Sequence, residues 1–438
     1  MRKMGNRPVT TKIDEKGHLE IGGCDLSELV KKYQSPLWVL DKETILNFCN
    51  RYKTSFSKYY DNFLPLFASK ALCTIATTQI IDKEGFGFDV VSGGELYTVL
   101  RAGVNPEKIY FHGNNKAVDE LELAIESNVG RIVVDNTYEL ERIEQIAAAK
   151  NKTVSILFRI TPEVDAHTHE FIQTGQLDSK FGVNKPQVVS VIRQALTCKH
   201  ISIVGIHAHI GSQIFDVEPF EVATKKLCEL ALDIRNNCGL SLQEINVGGG
   251  LGIKYLKEDD PSDIELFAET ICKTLQQFCI EYAYPLPKLI IEPGRSTIAN
   301  AGITLYTIGS VKDIPGIRTY IAIDGGMADN PRPLMYDAKY EAVIANKASL
   351  SGTNTYTIAG KFCESGDIII KNILLPKVEI GDIICIFTTG AYNYSMSSNY
   401  NRFRKPAMVL LDNGNCTEIL KRETYEDIIR NDIYLSKE

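Results

Sequence analysis

Eight short apolar runs, each followed by a polar or helical stretch, constrain this chain more than any other feature. The runs are "LPLFASK" (64–70), "FGFDVVS" (86–92), "KIYFHG" (108–113), "RIVVDN" (131–136), "TVSILFRI" (153–160), "IVGIHAHIG" (203–211), "EINVGGG" (244–250) and "KLIIEPG" (288–294). Near-continuous apolar runs suit strands covered on both faces. Between them, "KAVDELELAIESN" (116–128), "TYELERIEQIAAAK" (137–150) and "PFEVATKKLCELALDIRNNCG" (219–239) carry helical spacing. Gly239 is the predicted C-cap of the last, because glycine accepts left-handed backbone. Buried strands alternating with amphipathic helices imply a parallel sheet. Eight units over roughly 240 residues imply a closed (β/α)8 TIM-like barrel rather than an open sheet. No G-x-G-x-x-G follows any run, and "GGGLG" (248–252) has the wrong spacing for a dinucleotide fingerprint.

After residue 300 the pattern changes. "ITLYTIGSV", "TYIAIDGG", "NTYTIAG", "DIIIKNILL", "DIICIFTTG" and "AMVLLDNG" read as strands separated by Gly, Asp and Pro turns. The whole is then an α/β chain with a C-terminal β-sandwich or β-barrel domain. The 438 residues exceed one ordinary core, which agrees with two domains. The predicted divisions are an N-terminal segment (1–41) packing with the β-domain, a barrel (42–300) and the β-domain (301–438). "PLWVLD" (36–41) is the strand expected to join the β-domain.

Bulk properties exclude several classes. The net charge of −7 and the lack of a basic tract argue against nucleic acid. No apolar run reaches the ~18 residues a membrane span needs, and the N-terminus has no apolar stretch of a signal peptide. The 11 cysteines are scattered without a C-x-x-C. That usage suits a reducing cytoplasm.

In a (β/α)8 barrel the active site lies at the C-terminal strand ends. Run one ends in Lys70, either an amine that bonds a carbonyl or a snorkelling surface Lys. Run two ends near Asp89. Run six carries His207 and His209 two apart, expected on one strand face, followed by Ser212. No third ligand has a fitting spacing, so no metal is expected; His209 can instead stack on a flat ligand. Gly248, Gly249 and Gly250 allow close backbone approach and converging N–H donors for an anion. Run eight ends in Glu292-Pro293-Gly294-Arg295. An amine, an anion cradle, a stacking ring, a carboxylate and a guanidinium are the parts that pyridoxal 5′-phosphate demands. Glu292 against the ring nitrogen keeps it protonated. The ring is then a strong electron sink, which favours decarboxylation over racemisation.

Several motifs are longer than chance explains. They include "FASK" around Lys70, "DVVSGGEL" (89–96), "THEFIQTGQLDSKFG" (168–182), "HIGSQ" (209–213), "GGGLGIKY" (248–255) and "EPGR" (292–295). "DGGMADNPRPLMYDA" (324–338), "CESGD" (363–367) and "GAYNYSMSSNYN" (390–401) follow. In these, from about 36 to 412, the chain resembles the diaminopimelate decarboxylases, of the ornithine/diaminopimelate/arginine decarboxylase family. These are fold type III pyridoxal-phosphate enzymes that pair an alanine-racemase-type barrel with a β-domain. The resemblance implies decarboxylation of meso-2,6-diaminopimelate to L-lysine in a homodimer with shared sites. A sister decarboxylase of another carboxylated or carrier-bound amine is the alternative.

The resemblance also implies residue roles. Lys70 would hold the cofactor covalently, with Asp89 and His209 beside it and Glu292 at its ring nitrogen. Ser212, Gly248 to Gly250, Gly294, Arg295 and Tyr392 would hold its phosphate. Arg295, Arg332, Tyr336, Glu364 and Tyr392 would contact substrate. Cys363 would be a catalytic thiol presented by the second subunit. The related ornithine and arginine enzymes have Cys-Asp where this chain has Cys363-Glu364. A zwitterionic substrate end needs both the Arg forks and the Glu364 carboxylate. Around Lys70 the chain departs from the family in Phe67, where Tyr is more usual, and in Ser69 and Leu72.

Overall fold

The computed structural model describes residues 5–164 and 179–435. Most of the "THEFIQTGQLDSKFG" motif (168–178) lies outside them. The chain divides into two units. One comprises Leu46–Ile253 and Asp260–Thr297. The other takes in the N-terminal segment to Ile45, Lys254–Asp259 and everything from Ile298 onward.

In chain order, β1 is Leu37–Asp41, and the first unit then contributes β2 (Phe63–Ala68), β3 (Gly87–Val90), β4 (Ile109–Phe111) and β5 (Arg131–Val134). It continues with β6 (Val154–Thr161), β7 (Ile201–His207), β8 (Glu244–Asn246) and β9 (Lys288–Ile291). These are the eight predicted runs. All pair in parallel, and β5–β6 and β9–β2 pairing closes the ring. The interior is packed: Leu66, Tyr110, Val133, Leu157, Val204 and Ile290, one from each of six strands, form one buried cluster. Each such burial stabilises by about 1.5–3 kcal/mol before entropy is counted. Helix Glu218–Cys238 ends as predicted, with Gly239 at φ 68° and its N–H donating to the Arg235 carbonyl.

Strand starts and strand ends are chemically unlike. At the starts, the buried Glu244 carboxylate accepts Tyr110 Oη at 3.0 Å and Arg131 Nη2 at 2.7 Å. That is a self-contained ion pair closing the barrel floor. The strand ends carry the residues described below.

The second unit is built on one branched, mixed sheet, with a small three-stranded antiparallel sheet in its N-terminal segment. Its hub is the long strand β10 (Gly302–Ile314), which pairs antiparallel with β1, with β11 (Arg318–Ile323) and with Ile383–Phe387. β1 lies parallel to Ala407–Asp412 on its other side. "PLWVLD" therefore pairs within the β-sheet. Leu37, Val39, Ile303, Leu305, Cys385, Phe387 and Val409 fill the core of this sheet.

Candidate active site

β2 ends at Ala68, and Lys70 stands just beyond it in the short 3-10 turn Ser69–Ala71, not on the strand as the apolar run implied. The turn is tied to the Glu-Pro-Gly segment, since Ala68 N–H donates to the Pro293 carbonyl at 3.2 Å. A Cβ on Gly294 would come within 2.9 Å of the Ala68 Cβ, so this contact needs a glycine. Asp89, on β3 and buried, feels the Lys70 charge. Burial raises its pKa, as does Glu292, against the opposing pull of His112, Lys70 and Arg159.

Glu292 is the centre of the mouth. It follows β9 and is buried, yet three side chains from other strands converge on its carboxylate. Asn246 Nδ2 donates to Oε1 at 2.7 Å, His112 Nε2 lies 3.0 Å from Oε1, and His207 Nε2 lies 3.3 Å from Oε2. Burial pushes the Glu292 pKa up, but the two imidazoles outweigh it and hold the group well below the usual carboxylate range. Burial also drives His207 down to about 4, with Glu292 pulling the other way. The two His rings meet edge to face at 4.8 Å. The mouth thus holds a buried carboxylate in its anionic form.

His207 and His209 do not share one strand face, contrary to the reading from spacing. β7 ends at His207, which turns to Glu292. His209 lies beyond it, its Nδ1 accepting from Gly249 N–H at 3.3 Å. Burial, then the Lys70 and Arg159 charges, depress its pKa well below the ordinary value, so this ring is neutral.

The glycines after β8 are obligatory. A Cβ at Gly248, Gly249 or Gly250 would come within 2.5 Å of Ala208 O, 2.0 Å of Glu292 O and 2.3 Å of Gly211 O, respectively. Gly248 and Gly250 also have φ of +70° and +120°. The Gly248 N–H is held by Asn246 Oδ1 at 2.9 Å, so Asn246 links the cradle to Glu292. Arg295 is buried, and its Nη2 donates to Ser212 Oγ at 2.9 Å, bringing two predicted phosphate partners together.

Sequence reasoning missed three members of this mouth. His112, directly after β4, is one. Asn246 is another. The third is Arg159 on β6, whose charge acts on Asp89, Glu292 and His209. The signal for Arg159 and His112 was present: a polar side chain at the end of an apolar strand is costly unless used. A different grouping, without His209, does bring possible ligand atoms together. His112, His207 and Glu292 offer ligand atoms all within 4.8 Å, from three strands that local spacing cannot connect.

In the second unit, helix Arg332–Tyr336 buries Arg332 among tyrosines. Arg332 Nη1 donates to Tyr255 Oη at 2.6 Å, and its guanidinium lies 5.9 Å from the Tyr336 ring and 5.6 Å from that of Tyr392. Arg332, Tyr336 and Tyr392 are therefore neighbours, with Tyr255 and Tyr340 as unpredicted partners. Cys363 and Glu364 are exposed on the loop before strand Ile368–Leu375.

The family profile described as "Pyridoxal-dependent decarboxylase, pyridoxal binding domain" matches residues 43–299. The diaminopimelate decarboxylase of Bacillus subtilis is 45% identical over 426 residues, 97% of each chain. That of Synechocystis is 46% identical, covering 97% of this chain and 92% of the relative. The crystal structure of the M. jannaschii enzyme in complex with L-lysine superposes with a TM-score of 0.93 at 36% identity, covering 99% of both chains. The mouth suits a pyridoxal phosphate on its own chemistry. It offers an amine, a neutral imidazole, a cradle that any Cβ would fill and a carboxylate kept anionic despite burial.

Proposed function

This chain belongs to the diaminopimelate decarboxylases of the pyridoxal-dependent decarboxylase family, and from that premise we propose the following division of labour among its residues. The reaction is decarboxylation of meso-2,6-diaminopimelate to L-lysine and carbon dioxide, the last step of lysine biosynthesis. When bound, pyridoxal 5′-phosphate supplies an aldehyde for the substrate amine and a protonated ring that accepts the electron pair left by carbon dioxide.

Lys70 Nζ is the amine that would hold the cofactor covalently. Glu292 keeps a proton on the ring nitrogen. This needs a carboxylate that is anionic although buried, and the Asn246, His112 and His207 clamp meets that need. Asp89, which feels the Lys70 charge, would stand beside the cofactor. The neutral His209 ring would stack on the cofactor without adding a competing charge. Ser212, the Gly248–Gly250 cradle, Gly294 and Arg295 receive the phosphate, with Tyr392 nearby.

Arg332, with Tyr336 and Tyr392, receives the carboxylate at the substrate's far end, as does Arg295. Glu364 receives the far ammonium. Cys363 donates the proton to Cα after carbon dioxide leaves. Cys363 and Glu364 reach the site from the second subunit of a homodimer, and the enzyme works in the cytoplasm. Among the described residues no helix is long and apolar enough to cross a membrane.

The observation that supports this reading most is the buried Glu292, met by Asn246, His112 and His207 in the same barrel mouth as Lys70. The test is carbon dioxide release by the purified, cofactor-loaded protein. Turnover of meso-diaminopimelate but not ornithine is expected, because without a far carboxylate the buried Arg332 loses its charged partner. Comparable kcat/KM for both would overturn the substrate assignment.

A further inference from the structure

The loop that carries Cys363 and Glu364 is closed on itself by the last residue of its motif. Asp367 is buried, at 3% exposure, while Cys363, Glu364 and Ser365 are exposed. Its backbone carbonyl accepts from Gly360 N–H at 2.9 Å, and its N–H donates to the Glu364 carbonyl at 3.0 Å. Its carboxylate then does two things at once. Oδ2 accepts from Phe362 N–H at 3.0 Å, the residue before the thiol. Oδ1 accepts from Met327 N–H at 2.7 Å, in the "DGGM" loop.

That second loop is itself fastened. Lys361 N–H donates to the Gly325 carbonyl at 3.0 Å. Gly326 N–H donates to Asp329 Oδ1 at 2.9 Å, and the other oxygen of this buried carboxylate accepts from Tyr306 Oη on β10. Two glycines make room for the Asp367 carboxylate. A Cβ on Gly360 would lie 2.0 Å from one of its oxygens, and one on Gly326 2.5 Å from it. On the far side, Cys363 N–H donates to Asn401 Oδ1 at 3.2 Å, and the Phe362 ring packs edge to face on Phe403 at 5.0 Å. The Cys363 backbone is thus held from two sides while the residue remains exposed.

We propose that Asp367 is a positioning residue: by tying Phe362 to Met327 through one buried carboxylate, it fixes where the Cys363 thiol and the Glu364 carboxylate are presented. The inference rests on the roles given to Cys363 and Glu364 above. A merely structural Asp would close the turn equally well but would not set the thiol's position. An asparagine keeps the shape yet offers one oxygen and turns an NH2 group toward the other N–H, so one anchor becomes two opposed donors. Gly360→Ala attacks the same carboxylate from the other side.

The test uses the cofactor-loaded enzyme and follows iodoacetamide labelling of Cys363 by peptide mass spectrometry, together with kcat, KM and visible absorbance. In Asp367→Asn and in Gly360→Ala, cofactor absorbance is unchanged, Cys363 labelling rises at least about threefold and kcat falls at least about tenfold, the scale of a misplaced reacting group. Combining Gly360→Ala with Asp367→Ala adds nothing to Asp367→Ala alone, because the alanine methyl then has no carboxylate to displace. Labelling within about twofold of wild type, additive losses in the pair, or activity lost in step with cofactor absorbance overturns the proposal. A Cys363→Ala enzyme that turns over at the wild-type rate would instead remove the thiol's catalytic role, while the labelling rate still reports on the Asp367 anchor.

Discussion

His112 Nε2 lies 3.0 Å from Glu292 Oε1, across the mouth of the barrel and 180 positions away in the chain. The contact explains how a carboxyl buried among apolar strand ends remains charged. Replacing Glu292 by Gln removes the charge and keeps the shape. Cofactor should still be bound covalently through Lys70, while kcat falls by about 10²-fold, the scale of losing one preorganised electrostatic partner. His112→Asn, acting through Glu292 and Asp89, should cost about tenfold, or ~1.4 kcal/mol of barrier. Steady-state kinetics at saturating cofactor, beside a visible spectrum, separate the two. A His112 variant worse than the Glu292 variant would contradict the order.

Lys70→Ala should abolish the visible absorbance of the covalently held cofactor and all turnover, because no other amine occupies the turn after β2. Absorbance that survives extensive dialysis would argue against this assignment.

Cys363→Ala should retain the cofactor spectrum, since the thiol and Lys70 belong to different units. Turnover should fall by about 10²-fold or more, the usual contribution of a positioned general acid. Product analysis should show protonation at the wrong atom during turnover. Wild-type kcat with clean L-lysine would contradict the role.

His207 makes a prediction about acid stability. Its folded pKa is driven down to about 4, from an ordinary 6.5. Below pH 6.5 the unfolded chain therefore takes up a proton that the folded chain refuses. The group's contribution is complete above pH 6.5 and is lost as pH falls toward 4, about 3 kcal/mol in all. The depressed Glu292 acts in the same direction, below its own ordinary range. Asp329, raised to about 7 by burial, acts oppositely: its contribution is present at low pH and is lost as pH rises toward 7. The clean measurement is thus the difference between wild type and His207→Gln. Thermal melts at pH 4.5 and 7 should show the wild type losing more stability on acidification than the variant. Equal losses would place the His207 pKa near its unfolded value.

Much of the fold was legible because it is written in local periods. Apolar runs of strand length between helical stretches announce a parallel barrel, and all eight runs became its strands. The cap at Gly239 follows from equally local chemistry. The motifs gave the site by resemblance, and the barrel mouth brought several of those residues together. What went wrong was also local. Most apolar runs overshoot their strands, by up to four residues, which puts Lys70 on a strand and gives His207 and His209 a common face.

The sequence by itself determined the alternation, the two classes of domain and the inventory of reactive groups. Tertiary structure decided which groups meet. Glu292 finds Asn246 from the neighbouring strand, His207 from the next, and His112 from across the ring. Asp367 finds Met327 on another loop. No spacing predicts these encounters, because closing the barrel makes neighbours of strand ends that are far apart along the chain. The same closure removes water from the mouth. There, a carboxylate remains charged only through the partners the fold has brought to it.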